Sequence, residues 1–231
     1  MVQHESNRLT DDVENTPWSS FIPVVLAEGV VEEKVKLPCD GPPGMLSVAI
    51  FNSSRSSQAV LCCPGCYTCF EGPSCLYNRL ASHLPQSGFT VVQLAYRSPG
   101  DDEEEAAEDV MTCIDWLANQ NFRCLILVGW SMGSAAVIQA AYLRRHLPLI
   151  AGIVTLAGQT SGTRDSQHLE VPILAIHGER DKILPPECSK TLVQRACNAR
   201  LQLLPEDTHR IESAFPHVLE FICSQSSKHA E

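Results

Sequence analysis

The sequence predicts a single-domain α/β fold, with a mostly parallel central sheet and helices on both of its faces. The 231 residues are 44% hydrophobic, which is enough for one sizeable core and short for two domains. From residue 58 onward, short and nearly continuous apolar runs alternate with longer amphipathic stretches. Strands that are apolar on both faces are typical of parallel sheets covered by helices.

Eight segments are predicted to be strands. The first two, 30–37 and 45–51, alternate apolar with polar residues and are separated by Pro and Gly, which indicates an antiparallel pair. The other six are the apolar runs 59–63, 89–96, 124–129, 150–157, 171–176 and 201–204.

The stretches between these runs place apolar residues at helical spacing. Predicted helices cover residues 73–84, 103–118, 132–147 and 185–196, and a last one begins near Pro216. The acidic run 101–109 is predicted to be a solvated helix start, because carboxylates interact favourably with the positive end of the helix dipole. Asp101 or Asp102 would cap that helix.

The charge of the chain argues against several classes of partner. Seventeen basic and 27 acidic residues give a formal net charge of -10, which repels nucleic acid and anionic lipid. The chain has no apolar run of about 18 residues that could span a membrane, and residues 1–20 are too polar for a signal peptide. We therefore expect a flexible lead-in over 1–20, a domain over 21–231, a cytoplasmic location, and neither a nucleic-acid partner nor a membrane span.

Eleven cysteines suggest free thiols, because the predicted core needs no disulfide frame. Five of them are close in sequence: Cys62, Cys63, Cys66, Cys69 and Cys75. Their Cys-x-x-Cys spacing could hold zinc, but no second pair of this kind occurs elsewhere in the chain. We expect no metal and no cofactor.

The strongest chemical signal is the sequence Gly129-Trp130-Ser131-Met132-Gly133, between the apolar run 124–129 and a helix of small residues. A sharp strand-to-helix turn needs small residues on both sides of its central serine. It also directs the serine hydroxyl towards the start of the helix, where developing negative charge is stabilised. Ser131 is thus a candidate nucleophile.

A serine hydroxyl needs a base to accept its proton and an acid to orient that base. Asp181 lies just after the run 171–176, and His209 follows the last predicted strand. Ligand chemistry in open parallel sheets gathers at the carboxyl ends of the strands. The chain order Ser131, Asp181, His209 is the order of α/β-hydrolases.

Through the Gly-Trp-Ser-Met-Gly turn, the His-Gly-Glu-Arg-Asp segment at 177–181 and the late histidine, residues 30–225 resemble the α/β-hydrolase superfamily. The resemblance implies that Ser131 forms an acyl-enzyme, His209 transfers the proton and Asp181 holds the imidazole. Only about a dozen residues separate the predicted strand 150–157 from the predicted strand 171–176, which is too few for a cap domain. The chain is therefore most similar to cap-less serine esterases, thioesterases and dienelactone hydrolases, which act on a small-molecule or acyl substrate.

Members of this superfamily stabilise the tetrahedral intermediate with two backbone amides, one of which follows the nucleophile. In this chain the first would be that of Met132. The second is expected from the loop after the third strand, where Cys66 follows Pro64-Gly65. Relatives commonly carry His-Gly there, so Tyr67, or no donor from this loop, stays an alternative to Cys66.

Alternatives remain for the other roles. Glu179 or Asp165 could replace Asp181 as the acid, and His217 is a second candidate base. A third histidine, His177, ends a strand and is interpreted as a core residue. The same fold could also serve as a binding or scaffold protein, or as a peptidase; substrate and oligomeric state stay open.

Overall fold

A computed structural model describes residues 23–39, 44–53, 56–67, 70–98, 100–147 and 149–226. The expected lead-in over 1–20 lies outside these ranges. Among the described residues, no helix has the length and apolar character needed to cross a membrane.

The centre of the fold is an eight-stranded sheet in the order β1-β2-β4-β3-β5-β6-β7-β8. The strand β2 pairs antiparallel with both β1 and β4, and the remaining neighbours pair in parallel. The predicted fold class is therefore confirmed. The strands are β1 (Val31–Pro38), β2 (Met45–Asn52), β3 (Gln58–Cys63), β4 (Phe89–Ala95), β5 (Cys124–Trp130), β6 (Ile150–Leu156), β7 (Ile173–Gly178) and β8 (Ala199–Leu204).

Helices cover both faces of the sheet. They are α1 (Leu76–His83), α2 (Glu103–Asn119), α3 (Met132–Leu143), α4 (Glu187–Arg195) and α5 (Phe215–Ser226). Buried residues of α1 and α5 share one apolar cluster, and those of α2, α3 and α4 share the other. Each predicted helix is present, in the predicted order.

The central strands contribute side chains to both clusters. In β5, Ile126 and Val128 belong to the cluster with α1 and α5, whereas Leu125 and Leu127 belong to the cluster with α2, α3 and α4. Successive side chains of a strand point to opposite faces, so a strand buried on both sides must be apolar throughout. This geometry accounts for the continuous apolar runs of the sequence.

Some predicted boundaries were wrong by a few residues. The helix α3 ends at Leu143 rather than 147, and Arg144 leaves the helical conformation with φ -107° and ψ 14°. The strand β7 begins at Ile173 because Pro172 has no N–H for the ladder. The helix predicted over 73–84 begins with a 3-10 turn, Pro73–Cys75.

The acidic run at 101–109 is only partly solvated. As predicted, Asp102 caps α2 by accepting hydrogen bonds from the amides of Glu104 (3.0 Å) and Glu105 (3.1 Å). Asp109, however, is fully buried and forms an ion pair with Arg97. The prediction was wrong for Asp109 because its position on the helix faces the sheet.

The connection between β6 and β7, residues 157–172, contains one 3-10 turn, Arg164–His168. All of its residues are described, and none forms a helical cap. The carboxyl ends of the parallel strands consequently have no lid from this connection.

Candidate active site

Ser131 lies at the sharp turn between β5 and α3. Its backbone has φ 54° and ψ -120°, a conformation that L-residues rarely adopt. The amide of Ser131 donates to the carbonyl of Leu156 at 2.8 Å, which attaches the turn to the end of β6. The hydroxyl of Ser131 does not cap α3.

Close packing explains the two glycines of this turn. A Cβ on Gly129 would overlap the Gly133 carbonyl, and a Cβ on Gly133 would overlap the carbonyl oxygens of Cys63 and Pro64. The turn therefore presses directly against the chain leaving β3. A side chain at Gly133 would separate the turn from that loop, and one at Gly129 would separate β5 from the start of α3.

Asp181 lies in the loop that follows β7. Its Oδ1 accepts hydrogen bonds from the amides of Ile183 (2.8 Å) and Leu184 (2.9 Å). Its Oδ2 lies 2.7 Å from Nδ1 of His209. Two predicted site residues, 28 positions apart in sequence, are thus brought into direct contact.

The loop after β8 that carries His209 is held against the Asp181 loop. The amide of Arg180 donates to the Asp207 carbonyl at 2.9 Å. The Asp207 carboxylate accepts from the Ser213 amide (2.8 Å) and hydroxyl (2.9 Å) across the turn that contains His209. A Cβ on Gly178 would overlap the backbone of this turn, so glycine permits the close approach of the two loops.

Trp130 connects the His209 loop with the Ser131 turn. Its indole N–H donates to the His209 carbonyl at 3.1 Å, and its ring lies 5.5 Å from the imidazole, centroid to centroid. In the described part of the chain, the Ser131 hydroxyl makes no hydrogen bond to His209. Such contacts are often long before substrate binds, and tighten when it does.

All three side chains are close to the surface but largely covered. The exposed fractions are 9% for Ser131, 8% for Asp181 and 8% for His209. Electrostatic interactions at such a position are stronger than in open water.

The loop leaving β3 lies beside Ser131, as expected for a second oxyanion donor. A Cβ on Gly65 would contact the Ser131 Cβ at 3.3 Å. Two buried tyrosines hold the preceding carbonyls, since the Tyr77 hydroxyl donates to Cys63 (2.7 Å) and the Tyr96 hydroxyl donates to Pro64 (3.0 Å).

The other two candidates, Met132 and Cys66, lie at the start of α3 and in the loop leaving β3 respectively. Met132 is buried and is the first residue of α3, and half-buried Cys66 directly follows Gly65.

The alternative acids and the alternative base lie elsewhere. Glu179 is exposed, Asp165 is in the 3-10 turn after β6, and His217 lies in α5 beside Arg200 and Glu220. None of these three contacts the imidazole of His209.

His177 contacts the site, although its sequence position suggested a core residue only. Its ring is fully buried, as expected, but Nε2 lies 3.2 Å from Oδ2 of Asp181. The signal in the sequence is the four-residue spacing from His177 to Asp181 across a turn. Burial lowers the pKa of His177, so this ring is neutral near pH 7.

Backbone strain is concentrated at this edge of the sheet. Seven described non-glycine residues have positive φ, and six of them follow the carboxyl ends of strands. These six are Tyr67, Ser74, Cys75, Ser131, Ala157 and Ile211. Strained conformations persist at functional sites where the surrounding structure enforces them.

The cysteines at the end of β3 and after it do not form a shared ligand set in the described residues. Cys62 and Cys63 are completely buried, and burial raises the pKa of both thiols, which disfavours the thiolate that binds metals. Cys69 lies outside the described residues. Among those described, no three His, Cys, Asp or Glu side chains are grouped to hold an ion.

Comparison with known proteins identifies the family of this chain. The family described as Serine hydrolase (FSH1) matches residues 89–217, which include Ser131, Asp181 and His209. The chain belongs to this serine hydrolase family. The protein is thus an enzyme of the α/β-hydrolase superfamily. No curated protein matches the sequence.

Several solved structures share the fold of this serine hydrolase. Dienelactone hydrolase from Anabaena variabilis has a TM-score of 0.74 and 18% identity, over 88% of this chain and all of its own. Est1E from Butyrivibrio proteoclasticus has a TM-score of 0.69 and 14% identity, over 85% and 98%. A thermophilic esterase from Thermogutta terrifontis has a TM-score of 0.63 and 14% identity, over 84% and 99%.

Proposed function

We propose that this serine hydrolase cleaves a carboxylic ester or thioester through an acyl-enzyme formed on Ser131. The observation that carries the proposal is the 2.7 Å contact between His209 Nδ1 and Asp181 Oδ2, beside a strained serine turn. Each residue has one role: Ser131 is the nucleophile, His209 the general base and Asp181 the group that orients the base.

The contact with Asp181 determines which imidazole nitrogen accepts the proton. An ionised carboxylate only accepts hydrogen bonds, so Nδ1 of His209 carries the hydrogen and Nε2 keeps its lone pair. As Ser131 Oγ bonds to the substrate carbonyl carbon, Nε2 takes the hydroxyl proton. The resulting imidazolium gives that proton to the departing alkoxide or thiolate. Water then repeats the sequence on the acyl-enzyme and regenerates Ser131.

The oxyanion of each tetrahedral intermediate needs hydrogen-bond donors. We assign this role to the amides of Met132 and Cys66. Gly65 beside Ser131 and the position of Met132 at the first turn of α3 both support this assignment.

Two exposed, largely apolar side chains near the site, at the edge of the sheet that we call the rim, favour an ester with an apolar group. Tyr67 and Ile183 are each 71% exposed, and they lie two residues beyond Gly65 and Asp181 respectively. The names of two structural neighbours, an esterase and a dienelactone hydrolase, support ester chemistry. Without a cap from the connection between β6 and β7, the rim offers room for substrates of different length.

A fluorophosphonate probe tests the nucleophile. We expect the protein to be labelled on Ser131, and Ser131→Ala to lose both labelling and p-nitrophenyl ester hydrolysis while remaining folded.

Two matched pairs of variants test the roles of His209 and Asp181. His209→Ala and Asp181→Asn should lower kcat by several orders of magnitude, as triad substitutions do. Their controls, His217→Ala and Glu179→Gln, should retain wild-type kcat. Loss of turnover in His217→Ala instead of His209→Ala would reassign the base.

A series of p-nitrophenyl and thioester substrates tests the substrate class. We expect KM to fall from acetyl to hexanoyl chains, and Tyr67→Ala to raise KM for the longer chain more than for the shorter one. Equal KM values for all chain lengths would argue against an apolar acyl group.

A further inference from the structure

We propose that His177 is a positioning residue, whose neutral ring holds the Asp181 carboxylate in the orientation that His209 requires. The inference rests on the proposed function, because it gives His177 a role in the same hydrolytic site. The hydrogen-bonded line would then run from Ser189 through His177 and Asp181 to His209.

The contacts of His177 are arranged for this role. Its Nδ1 lies 2.7 Å from the Ser189 hydroxyl, and its Nε2 lies 3.0 Å from the Leu184 carbonyl. The same Nε2 lies 3.2 Å from Oδ2 of Asp181, the oxygen that contacts His209. The ring and the Asp181 carboxylate are both covered by protein, so water does not compete for these contacts.

The partners determine the tautomer of His177. A carbonyl oxygen only accepts, so Nε2 carries the hydrogen and shares it between Leu184 and Asp181. Nδ1 therefore accepts from the Ser189 hydroxyl. Burial lowers the pKa of His177, which keeps this ring neutral beside the cation that His209 becomes during catalysis.

The Asp181 carboxylate consequently faces four N–H donors. Two are backbone amides on Oδ1, and the imidazoles of His177 and His209 meet at Oδ2. A donor on Oδ2 partly offsets the negative charge that His209 experiences, and limits rotation of the carboxylate. Its removal should strengthen the attraction between Asp181 and protonated His209, and so favour the protonated imidazole.

Two amide substitutions of different length separate positioning from packing. His177→Asn can still meet Ser189 but cannot reach Asp181, whereas His177→Gln places its amide nitrogen near the position of Nε2. We expect kcat of His177→Asn to fall about tenfold with KM within about twofold of wild type. The acid limb of its kcat/KM profile should move to higher pH by about half a pH unit, because His209 must be neutral to act as a base. His177→Gln should have a kcat and an acid limb close to those of wild type.

Ser189→Ala is the matched control. It removes the partner of Nδ1 and leaves the Nε2 donor, so it should lower stability and leave the acid limb unchanged. The charged or titratable groups around His177 are Asp181, His209 and Glu187. Glu187→Gln should likewise leave the acid limb in place.

The outcomes distinguish this inference from the proposed function. An unmoved acid limb and normal kcat in His177→Asn, with Ser131→Ala inactive, would overturn the role of His177 alone. Activity in Ser131→Ala would overturn the proposed function itself. Should His177→Asn fail to fold, the acid limbs of His177→Gln and Ser189→Ala are compared instead. A shifted acid limb in the serine variant, with none in the glutamine variant, would contradict the donor role of Nε2 and assign the effect to the Ser189 contact.

Discussion

Removal of two buried hydroxyls should weaken catalysis without touching any group that contacts substrate. Tyr77 on α1 donates to the Cys63 carbonyl, and Tyr96 after β4 donates to the Pro64 carbonyl. These carbonyls directly precede Gly65, which lies against Ser131. Phenylalanine at either tyrosine keeps the ring and its packing and removes only the donor.

The size of the effect follows from the burial of these contacts. Both tyrosines are nearly or fully buried, so the carbonyl oxygen left behind gains no water. Such an unsatisfied group costs about 1–3 kcal/mol in the free energy of unfolding. Complete loss of an oxyanion donor costs about 10²–10³ in kcat. A displaced loop loses only part of the donor's stabilisation, so we expect kcat to fall about tenfold in Tyr77→Phe and in Tyr96→Phe. The double variant should lose up to the full factor of about 10²–10³ in kcat.

Urea unfolding measures stability, and the burst of p-nitrophenol release measures acylation. The expected result is a lower acylation rate with little change in KM, since the donors act on the oxyanion more than on the ground state. Tyr142→Phe on α3 is the control, because the Tyr142 hydroxyl has no hydrogen bond among the described residues. Wild-type acylation in the double variant, despite reduced stability, would show that the two tyrosines do not position the oxyanion loop.

Three further predictions concern single residues. Burial raises the pKa of the Asp109 carboxyl from 3.8 to about 6, so the folded protein binds this proton more tightly than the unfolded chain. Protonated Asp109 therefore stabilises the fold at low pH, and this contribution, up to about 3 kcal/mol, is lost as pH rises from about 4 to 6. The urea midpoint of unfolding should fall with rising pH more steeply in wild type than in Asp109→Asn. Equal slopes in the two proteins would refute this prediction. Asp102→Ala should cost about 0.5–2 kcal/mol of stability through the lost cap of α2 and leave ester hydrolysis unchanged; a drop in kcat would mean that the cap also shapes the site. Trp130→Phe should lower kcat several-fold and cost about 0.5–1.5 kcal/mol of stability, since the indole hydrogen bond to His209 is removed. Thermal melts and steady-state kinetics would show the stability loss with wild-type kcat if Trp130 is only a packing residue.

The fold could be predicted from the sequence because its main signals are local. A strand such as β5 is apolar on both faces wherever helices cover it, and Gly129 and Gly133 flank Ser131 because backbone approaches at both positions. The relation between Asp181 and His209 could be anticipated only through the order of strands, which brings the ends of β7 and β8 together. Boundaries such as that of α3 were less predictable, since they depend on how the chain turns after the helix.

The hydrogen bonds that support the site could not be predicted, because they join residues that are distant in sequence. Tyr96 and Pro64 are 32 positions apart, and Trp130 and His209 are 79 apart. Each is an ordinary residue in its local context. Asp109 illustrates the same difficulty, because an acidic run indicates a solvated surface until the position of each carboxylate around the helix is known.

These supporting contacts explain how strained backbone can persist at the candidate site. Ser131 at positive φ is restrained by the hydrogen bond that its amide donates to the Leu156 carbonyl and by the close contacts of Gly129 and Gly133. Ile211 at positive φ lies within the turn that Asp207 and Ser213 close. A β-branched residue such as Ile211 avoids this conformation unless other contacts enforce it. The strain therefore falls on the loops that carry the site residues. The side chains of Ser131 and His209 can then be placed by neighbouring structure rather than by their own conformational preference, which is what a preorganised site requires.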